Sequence, residues 1–333
     1  RVALTPEGVT EFVKNGHSVL IEKDAGLGSS ISNQDYIQAG AKIVDSVDRL
    51  WQESEMILKV KEPIEPEYSR MRSNQILFTY LHLAASKPCT DALIKSKITS
   101  IAYETVEVDG SLPLLLPMSE VAGRMATQVG ADALLKPKGG RGVLLAGVPG
   151  VSPGKVVVIG GGIAGLSAAV IALGMGADVT VLDRSVKRLA QIDQIYRGQI
   201  KTLMSSTASI QKSIIDADLV IGAVLIPGTR APKLVTNDDV SKMKIGSVLV
   251  DIAIDQGGCF EDSKPTTHEN PTYKVHNSIF YCVANMPGAV PVTSTYALTN
   301  VTLPFAIQIA NQGWEKALKE NPDLAKGLNT HDG

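Results

Sequence analysis

A glycine-rich turn between branched aliphatic residues and an apolar segment is the strongest chemical signal in the sequence. The run from Val156 to Ile159 leads into Gly160, Gly162 and Gly165, which have the Gly-x-Gly-x-x-Gly spacing. The first glycine of such a motif permits a tight turn, the second lets the backbone approach a pyrophosphate, and the third lets the helix pack on the strand. The pyrophosphate would lie at the helix N-terminus, where free N–H groups and the helix dipole favour anions. The turn therefore predicts a dinucleotide-binding site.

An acid at the end of the next predicted strand indicates which dinucleotide binds. Asp183 lies about 20 residues beyond the turn, where an acid accepts a hydrogen bond from the ribose 2′-hydroxyl. Because a carboxylate repels a 2′-phosphate, Asp183 favours NAD over NADP. The neighbouring Arg184 opposes this preference, since an arginine there can accommodate the phosphate. We predict NAD as the cofactor.

Other polar residues follow apolar strands at the points where doubly wound sheets bind ligands. Lys59 and Lys61 end one predicted strand on the same side of it, His82 ends the next, and Asp251 and Asp255 straddle the end of a third. Each has a structural interpretation too. A pair of solvated lysines at the end of a strand explains Lys59 and Lys61 as well as a ligand site does. His82 taken alone fits a buried core histidine better than a catalytic one, and Asp255 fits a turn cap less well than a site residue.

Composition limits the classes of protein to consider. The chain has 333 residues, 44% of them hydrophobic, which suffices for two domains with sizeable cores. Its net charge of −2 gives no reason to expect nucleic acid or a membrane as a partner. The three cysteines form no Cys-x-x-Cys pair, so we expect a reduced, cytoplasmic compartment without disulfides. The histidines lack metal-ligand spacing, and no metal is predicted.

Two further motifs suggest other functions, but the surrounding pattern explains them better. The 22 residues from Val156 to Ala177 carry no charge, enough for a transmembrane helix. Six of them are glycine, so we interpret the stretch as a buried strand followed by a covered helix. Residues 150–154 have the Gly-x-Ser-x-Gly spacing of a hydrolase, yet they precede a strand, whereas a nucleophile elbow follows one. We interpret them as a linker turn.

The predicted elements alternate between strands and helices, which indicates an α/β fold. Strands are predicted over residues 17–22, 56–60, 75–81, 98–104, 217–224, 246–253 and 279–284, and helices over 6–14, 89–97, 119–135 (with Ser119 as N-cap) and 295–319. We predict two doubly wound Rossmann-like domains with a cleft between them. Residues 119–286 form the NAD-binding domain, and residues 1–118 with 287–333 form a discontinuous substrate domain.

Ordered blocks along the whole chain resemble the family of alanine dehydrogenases and NAD-binding transhydrogenase subunits. These blocks are residues 1–6, 58–63, 78–85, 117–124, 139–145, 251–258 and 283–287. The dehydrogenases are the nearer branch, because the transhydrogenase component carries an Arg-Gln-Asp loop where this chain has only Leu112 to Glu120. The block that contains His82 also resembles the dehydrogenases.

The resemblance implies reversible oxidative deamination, in which L-alanine, NAD⁺ and water give pyruvate, ammonium and NADH. It matches Arg1 and Lys61 to the family's substrate-binding residues, and His82 and Asp255 to its catalytic pair. An arginine fork can bind a carboxylate in two places, and a lysine can anchor the carboxylate or polarise the carbonyl oxygen. A histidine suits proton transfer at neutral pH. A nearby carboxylate stabilises a cationic iminium and helps to activate water.

The resemblance also implies further cofactor contacts and an assembly. To the glycines and Asp183 it adds Ser119, Arg188, Ser205, Val224, Leu225, Ile252, Ala253, Ile254, Asp255, Val283, Ala284, Asn285 and Met286. It implies a homohexamer whose other partners are the small-molecule substrates. Two alternatives stay open: an NAD(H)-binding transhydrogenase subunit, and a catalytically silent NAD-binding module. The second is disfavoured, because a binding module needs none of His82, Lys61 and Asp255.

Overall fold

The chain folds into two compact units in the computed structural model, which describes residues 1–224 and 231–333. The first unit comprises Arg1–Met118 together with Val290–Gly333, and the second comprises Ser119–Ala289. The first unit is therefore discontinuous in sequence.

Strands and helices alternate along both units. The strands are β1 (Leu20–Glu22), β2 (Lys42–Val44), β3 (Met56–Leu58), β4 (Ile76–Thr79), β5 (Thr99–Ala102), β6 (Lys155–Ile159), β7 (Asp178–Asp183), β8 (Lys201–Met204), β9 (Leu219–Gly222), β10 (Val248–Asp251), β11 (Thr272–Val275), β12 (Ser278–Tyr281) and β13 (Leu328–Thr330). The helices are α1 (Pro6–Lys14), α2 (Asn33–Gln38), α3 (Val47–Glu53), α4 (Lys87–Ser96), α5 (Leu116–Ala133), α6 (Ile163–Gly174), α7 (Val186–Tyr196), α8 (Thr207–Ile215), α9 (Asn237–Ser241), α10 (Pro291–Gln312), α11 (Trp314–Glu320) and α12 (Pro322–Ala325).

The first unit holds a small parallel pair, β1 and β2, and a four-stranded sheet in the order β13-β5-β4-β3. In this sheet β3, β4 and β5 run parallel, whereas β13 pairs antiparallel with β5. The central strand β4 is buried at Leu77, Phe78 and Thr79, and Leu77 belongs to an apolar core with Leu81. The residues that follow β3, β4 and β5 therefore leave the same edge of a rigid sheet.

The second unit holds a seven-stranded sheet in the order β11-β12-β10-β9-β6-β7-β8. Six of these strands are parallel, and β11 is an antiparallel edge. Numbered from β6, the parallel strands follow the order 3-2-1-4-5-6 of the Rossmann fold, which reverses direction between β6 and β9. The predicted α/β class with doubly wound units is confirmed.

The uncharged stretch is a strand followed by a helix, as predicted. Val156–Ile159 of β6 are buried, so both faces of the strand are covered. The helix α6 buries Ala168, Ala169 and Ala172 completely. Across the described parts of the chain, no helix combines the length and apolar character needed to cross a membrane.

Two helix boundaries differ from the predictions, and each difference has a local cause. The helix predicted from Ser119 begins at Leu116, so the prediction of Ser119 as N-cap is wrong. Pro117 is suited to the first turn of a helix, which moves the start ahead of Ser119. The helix predicted over 295–319 is broken at Gly313, whose φ of +74° ends α10 before α11 begins.

Candidate active site

The glycine turn after β6 leaves open space where a pyrophosphate would bind. Gly160 has a φ of +101°, a conformation that favours glycine. A Cβ at Gly165 would lie 1.8 Å from the carbonyl oxygen of Gly160, whereas a Cβ at Gly162 would meet no heavy atom within 4 Å. Gly162 is also the N-cap of α6 and provides no side-chain hydrogen bond. The first and third glycines are thus required by the chain itself, and the second leaves the helix N-terminus accessible to an anion.

We expect Gly165→Ala to destabilise the protein by about 3 kcal/mol, because the new methyl group would overlap backbone that cannot move aside. Gly174→Ala, in the same helix, has no atom within 4 Å of the new Cβ. This control should be neutral or stabilising by about 0.5–1 kcal/mol. Urea unfolding of the two variants measures both effects, and equal stabilities would contradict the explanation.

Asp183 and Arg188 both hold the glycine turn. The carboxylate of Asp183 accepts hydrogen bonds from the backbone N–H of Gly161 (2.7 Å) and of Ser185 (2.8 Å). The Nε of Arg188 donates to the carbonyl oxygen of Gly161 at 2.6 Å. Each carboxylate oxygen of Asp183 keeps a further lone pair, so the half-buried acid can still accept from a ribose hydroxyl. Sequence reasoning found both residues but missed their role in the turn.

The other cofactor candidates of the second unit follow the C-terminal ends of the parallel strands. Ser205 follows β8, Val224 follows β9, and a 3₁₀ turn from Ile252 to Gln256, which contains Ala253, Ile254 and Asp255, follows β10. Val283, Ala284, Asn285 and Met286 follow β12, and Ser119 lies in the first turn of α5. Leu225 lies outside the described residues. Ligands of open α/β sheets bind at this edge, so the described residues fit a dinucleotide.

Asp251 and Asp255, paired in the sequence analysis, have different surroundings. Asp255 is exposed, in the middle of the 3₁₀ turn. Asp251 is fully buried and accepts hydrogen bonds from the backbone N–H of Ala253 (3.0 Å) and Cys259 (2.8 Å) and from the hydroxyl of Ser263 (2.5 Å). Burial raises the pKa of the Asp251 carboxyl. Asp251 therefore fixes the turn that carries Asp255.

Lys233 holds the other end of the same turn, and sequence reasoning missed it. Its ammonium group donates to the carbonyl oxygens of Gly257 (2.7 Å), Gly258 (3.0 Å) and Phe260 (2.9 Å). Three acceptors satisfy the three donors of an ammonium group. No local sequence pattern indicates this role, because the lysine lies more than twenty residues before its acceptors.

His82 projects from the end of β4 in an unusual backbone conformation. Its φ is +49°, uncommon for a residue other than glycine. The carboxylate of Glu104 accepts the backbone N–H of His82 at 2.6 Å and that of Leu81 at 3.0 Å. The side chain of His82 is 40% exposed, so the interpretation of this residue as a buried core histidine is wrong. Glu104 therefore stabilises a strained strand end that presents the imidazole to solvent.

The two lysines after β3 differ in their partners. Lys59 forms an ion pair with Glu67, with 2.6 Å between Nζ and Oε1. The exposed Lys61 has its Nζ 3.7 Å from Oε2 of Glu62. The same carboxylate oxygen lies 3.2 Å from Nδ1 of His82. The structure thus brings Lys61 and His82 together around Glu62, which sequence reasoning missed.

Glu62 is ionised over the whole physiological range. The hydrogen bond from His82 is the main cause that lowers the pKa of Glu62 from 4.5 to about 2. A carboxyl whose pKa falls on folding contributes stability above its unfolded value. The stability that the ionised Glu62 contributes to the folded protein is therefore complete above pH 4.5, and it is lost as the pH falls towards about 2.

Arg1 lies in the first unit and is half-buried. Its Nη1 lies 3.3 Å from the sulfur of Met118. The next residue, Val2, donates its backbone N–H to the hydroxyl of Thr295 at 3.2 Å. Arg1 and Val2 are therefore held by contacts with other residues of the first unit. In the part of the chain that the structure describes, no group of three histidine, cysteine or acidic residues could hold a metal ion.

The fold, the glycine turn and the polar residues at strand ends define a dinucleotide-binding α/β protein of the dehydrogenase type. Two family descriptions match it: the alanine dehydrogenase/PNT N-terminal domain over residues 1–122 and the C-terminal domain over residues 126–333. The chain belongs to the alanine dehydrogenase/PNT family.

Individual relatives agree with this assignment. Alanine dehydrogenase of Mycolicibacterium smegmatis is 62% identical over 334 residues, which cover 100% of this chain and 90% of the relative. A solved structure of an L-alanine dehydrogenase is 51% identical, with a TM-score of 0.96 over 100% of this chain and 92% of the other. A transhydrogenase from Sinorhizobium meliloti is 26% identical, with a TM-score of 0.84 over 100% of this chain and 93% of the other. The transhydrogenase branch is therefore the more distant one.

Proposed function

We propose that this protein is an alanine dehydrogenase, which interconverts L-alanine, NAD⁺ and water with pyruvate, ammonium, NADH and a proton. The observation that carries the proposal is the exposed imidazole of His82, hydrogen-bonded to the ionised carboxylate of Glu62 beside Lys61. A protein that only binds NAD needs no such proton-transfer group. The full-length similarity to alanine dehydrogenases supports the same function.

We assign the substrate and proton-transfer roles to four residues. Arg1 binds the carboxylate of the substrate, and Lys61 anchors that carboxylate or polarises the carbonyl oxygen of pyruvate. His82 takes a proton from the ammonium group of alanine before oxidation and returns protons in the reverse direction. Asp255 stabilises the positive charge of the iminium and helps to activate the water that adds to it.

NAD is the proposed cofactor, and the second unit supplies its site. The residues that would hold it are the three glycines of the turn, Asp183, Arg188 and the residues that follow the parallel strands. When bound, NAD⁺ accepts a hydride from the α-carbon of alanine. The acidic Asp183 supports NAD rather than NADP, because its charge repels a 2′-phosphate.

The experiment that tests the function is an assay of NADH oxidation with 2-oxo acids and ammonium. We expect oxidation with pyruvate and ammonium together, and none when either is omitted. Glyoxylate and longer 2-oxo acids measure the breadth of the substrate site. Absence of turnover by protein that still binds NADH would contradict the dehydrogenase proposal. It would favour the transhydrogenase-type subunit, which binds NAD(H) without amino-acid turnover.

Replacing Asp183 by Ser is expected to weaken the binding of NADH relative to the binding of NADPH. We expect a change in preference of about 10- to 100-fold, because hydrogen bonds to a charged group contribute about 1.5–3 kcal/mol. The matched control is Asp178→Ser at the start of the same strand, where the carboxylate binds Lys201 at 2.6 Å. Dissociation constants for both nucleotides measure the effect, and an unchanged preference in Asp183→Ser would contradict the assigned role.

We further propose a substrate domain formed by residues 1–118 with 287–333, an NAD-binding domain formed by residues 119–286, and a cytoplasmic homohexamer. The three cysteines, Cys89, Cys259 and Cys282, are buried free thiols, which supports a reducing compartment. The hexamer rests on the family resemblance alone, and light scattering of the purified protein measures its mass.

A further inference from the structure

We infer that Glu62 is a positioning residue of the active site: it holds His82 as the Nδ1–H tautomer and thereby makes Nε2 the atom that exchanges protons with the substrate. The inference rests on the proposed function, which gives His82 the proton-transfer role. It identifies which nitrogen of His82 exchanges the proton and what selects that nitrogen.

The contacts of Glu62 identify its role. Oε2 lies 3.2 Å from Nδ1 of His82 and 3.7 Å from Nζ of Lys61. One carboxylate oxygen therefore contacts both groups to which we assign substrate chemistry. Glu62 precedes Pro63, which restricts its backbone to extended conformations. Its side chain is 30% exposed, so the contact is shielded without being sealed from water.

The backbone of His82 is fixed independently of its ring. Glu104 accepts the N–H of His82, and Leu81, the preceding residue, is completely buried. The ring of Tyr80 lies 5.7 Å from the imidazole, centroid to centroid, with a tilt of 35°. These contacts fix the position of the imidazole but do not determine which nitrogen carries the proton. The carboxylate of Glu62, 3.2 Å from Nδ1, is a charged group that can determine this.

The chemistry of the pair follows from the donors and acceptors. An ionised carboxylate can only accept, so the neutral imidazole must donate from Nδ1. The lone pair of the neutral ring then lies on Nε2, which can take a proton from the substrate ammonium. The resulting imidazolium is stabilised by the negative charge of Glu62. A carboxylate that orients a histidine in this way does not itself take up the proton.

The Lys61 contact adds a second function to the same carboxylate. The ammonium group of Lys61 is attracted to the carboxylate oxygen 3.7 Å away, and this attraction restricts the conformations of its side chain. Glu62 therefore restrains the lysine that we assign to the substrate as well as the histidine. Both contacts are made by one residue of the Lys61-Glu62-Pro63 segment, so a single substitution disturbs both.

Glu62→Gln is the decisive variant, because the side chain keeps its length but loses its charge. Its amide can accept from Nδ1–H or donate to Nδ1, so both tautomers become accessible. We expect kcat for pyruvate amination to fall about 100-fold or more, as expected when a proton-transfer group loses its orientation. The dissociation constant for NADH should stay unchanged. Glu62→Asp keeps the charge and should retain more activity than Glu62→Gln.

The tautomer itself is measured by nitrogen NMR of histidine-labelled protein, with the His82 signals identified by their loss in His82→Gln. We expect Nδ1–H in the wild type and a mixture of tautomers in Glu62→Gln. The matched control is Glu67→Gln, which removes a nearby carboxylate, five residues further along the chain, that binds Lys59. It should leave both the tautomer and kcat unchanged.

The outcomes separate this inference from the proposed function. A wild type that shows no turnover contradicts the proposed function, whatever the tautomer. A wild type that turns over but carries the proton of neutral His82 on Nε2 overturns the inference alone, even if no variant folds. The same holds if Glu62→Gln keeps the wild-type kcat and tautomer. A loss of kcat and NADH binding together would indicate a merely structural role and would also overturn it.

Discussion

His82→Gln should abolish nearly all turnover of pyruvate and ammonium while leaving NADH binding intact. A positioned acid–base group contributes about 100- to 10,000-fold to a rate, so we expect kcat to fall about 1,000-fold. Glutamine can occupy the same volume and form hydrogen bonds, but it does not titrate in the range where the reaction requires proton transfer. Steady-state kinetics measure kcat, and a fluorescence titration measures the dissociation constant for NADH.

The histidine at position 17 provides the matched control for this experiment. His17 is half-buried, lies in the same unit, and forms a 2.7 Å contact with the side chain of Asn311 and an edge contact with the ring of Phe12. His17→Gln should keep kcat, because these contacts involve none of the groups to which we assign the chemistry. If His82→Gln retains kcat within about tenfold of the wild type, His82 is not the proton-transfer group. If it loses NADH binding as well, the effect is on folding rather than on chemistry.

The sequence alone predicted the second unit well, because its signals are local. The glycines, Asp183 and the uncharged strand lie close together in the chain, and each has a distinct pattern.

The ends of the strands were predicted less well, as β5 of the first unit shows. A strand was predicted over residues 98–104, but β5 spans only Thr99–Ala102, because a 3₁₀ turn over Tyr103–Thr105 uses the remaining residues. Apolar side chains continue into such a turn, so periodicity cannot mark the strand end.

The parts of the site that were missed depend on contacts between distant residues. Glu62 and His82 are twenty residues apart, and Glu104 lies a further twenty-two residues along the chain. They meet because β3, β4 and β5 are parallel neighbours that end at one edge. Strand pairing of this kind is decided by packing of the whole unit. For the same reason, the sequence could not identify Glu62 as the group that selects the tautomer of His82.

Asp251, in the second unit, is another residue whose role could not be predicted from the local sequence. Its place at a strand end made it a candidate for the site beside Asp255, which is the better candidate because it is exposed. The buried acid instead organises the turn, and Lys233 completes it from the other end. The reactive position proposed for Asp255 thus depends on two residues that hold its turn, Asp251 and Lys233.

Replacing Asp251 by Asn should destabilise the protein by about 3 kcal/mol, the upper part of the range expected when a buried donor loses its acceptor. One oxygen of Asp251 accepts from the backbone N–H of Ala253, and the other accepts from the backbone N–H of Cys259 and the hydroxyl of Ser263. Whichever way the amide of Asn is turned, its NH₂ group faces a backbone donor. At least one buried donor is then left without an acceptor, which costs the desolvation of that group.

The measurement is urea unfolding followed by circular dichroism, with Asp238→Asn as the control. The side chain of Asp238 is 72% exposed and forms an ion pair with Lys242, so its loss should change stability by less than about 0.5 kcal/mol. The two variants make the same chemical change and differ in burial and in partners. Because Asp251 fixes the turn of Asp255, any folded fraction of Asp251→Asn should also lose kcat while its NADH affinity falls less. Equal stabilities for the two variants would show that the carboxylate of Asp251 does not organise the turn.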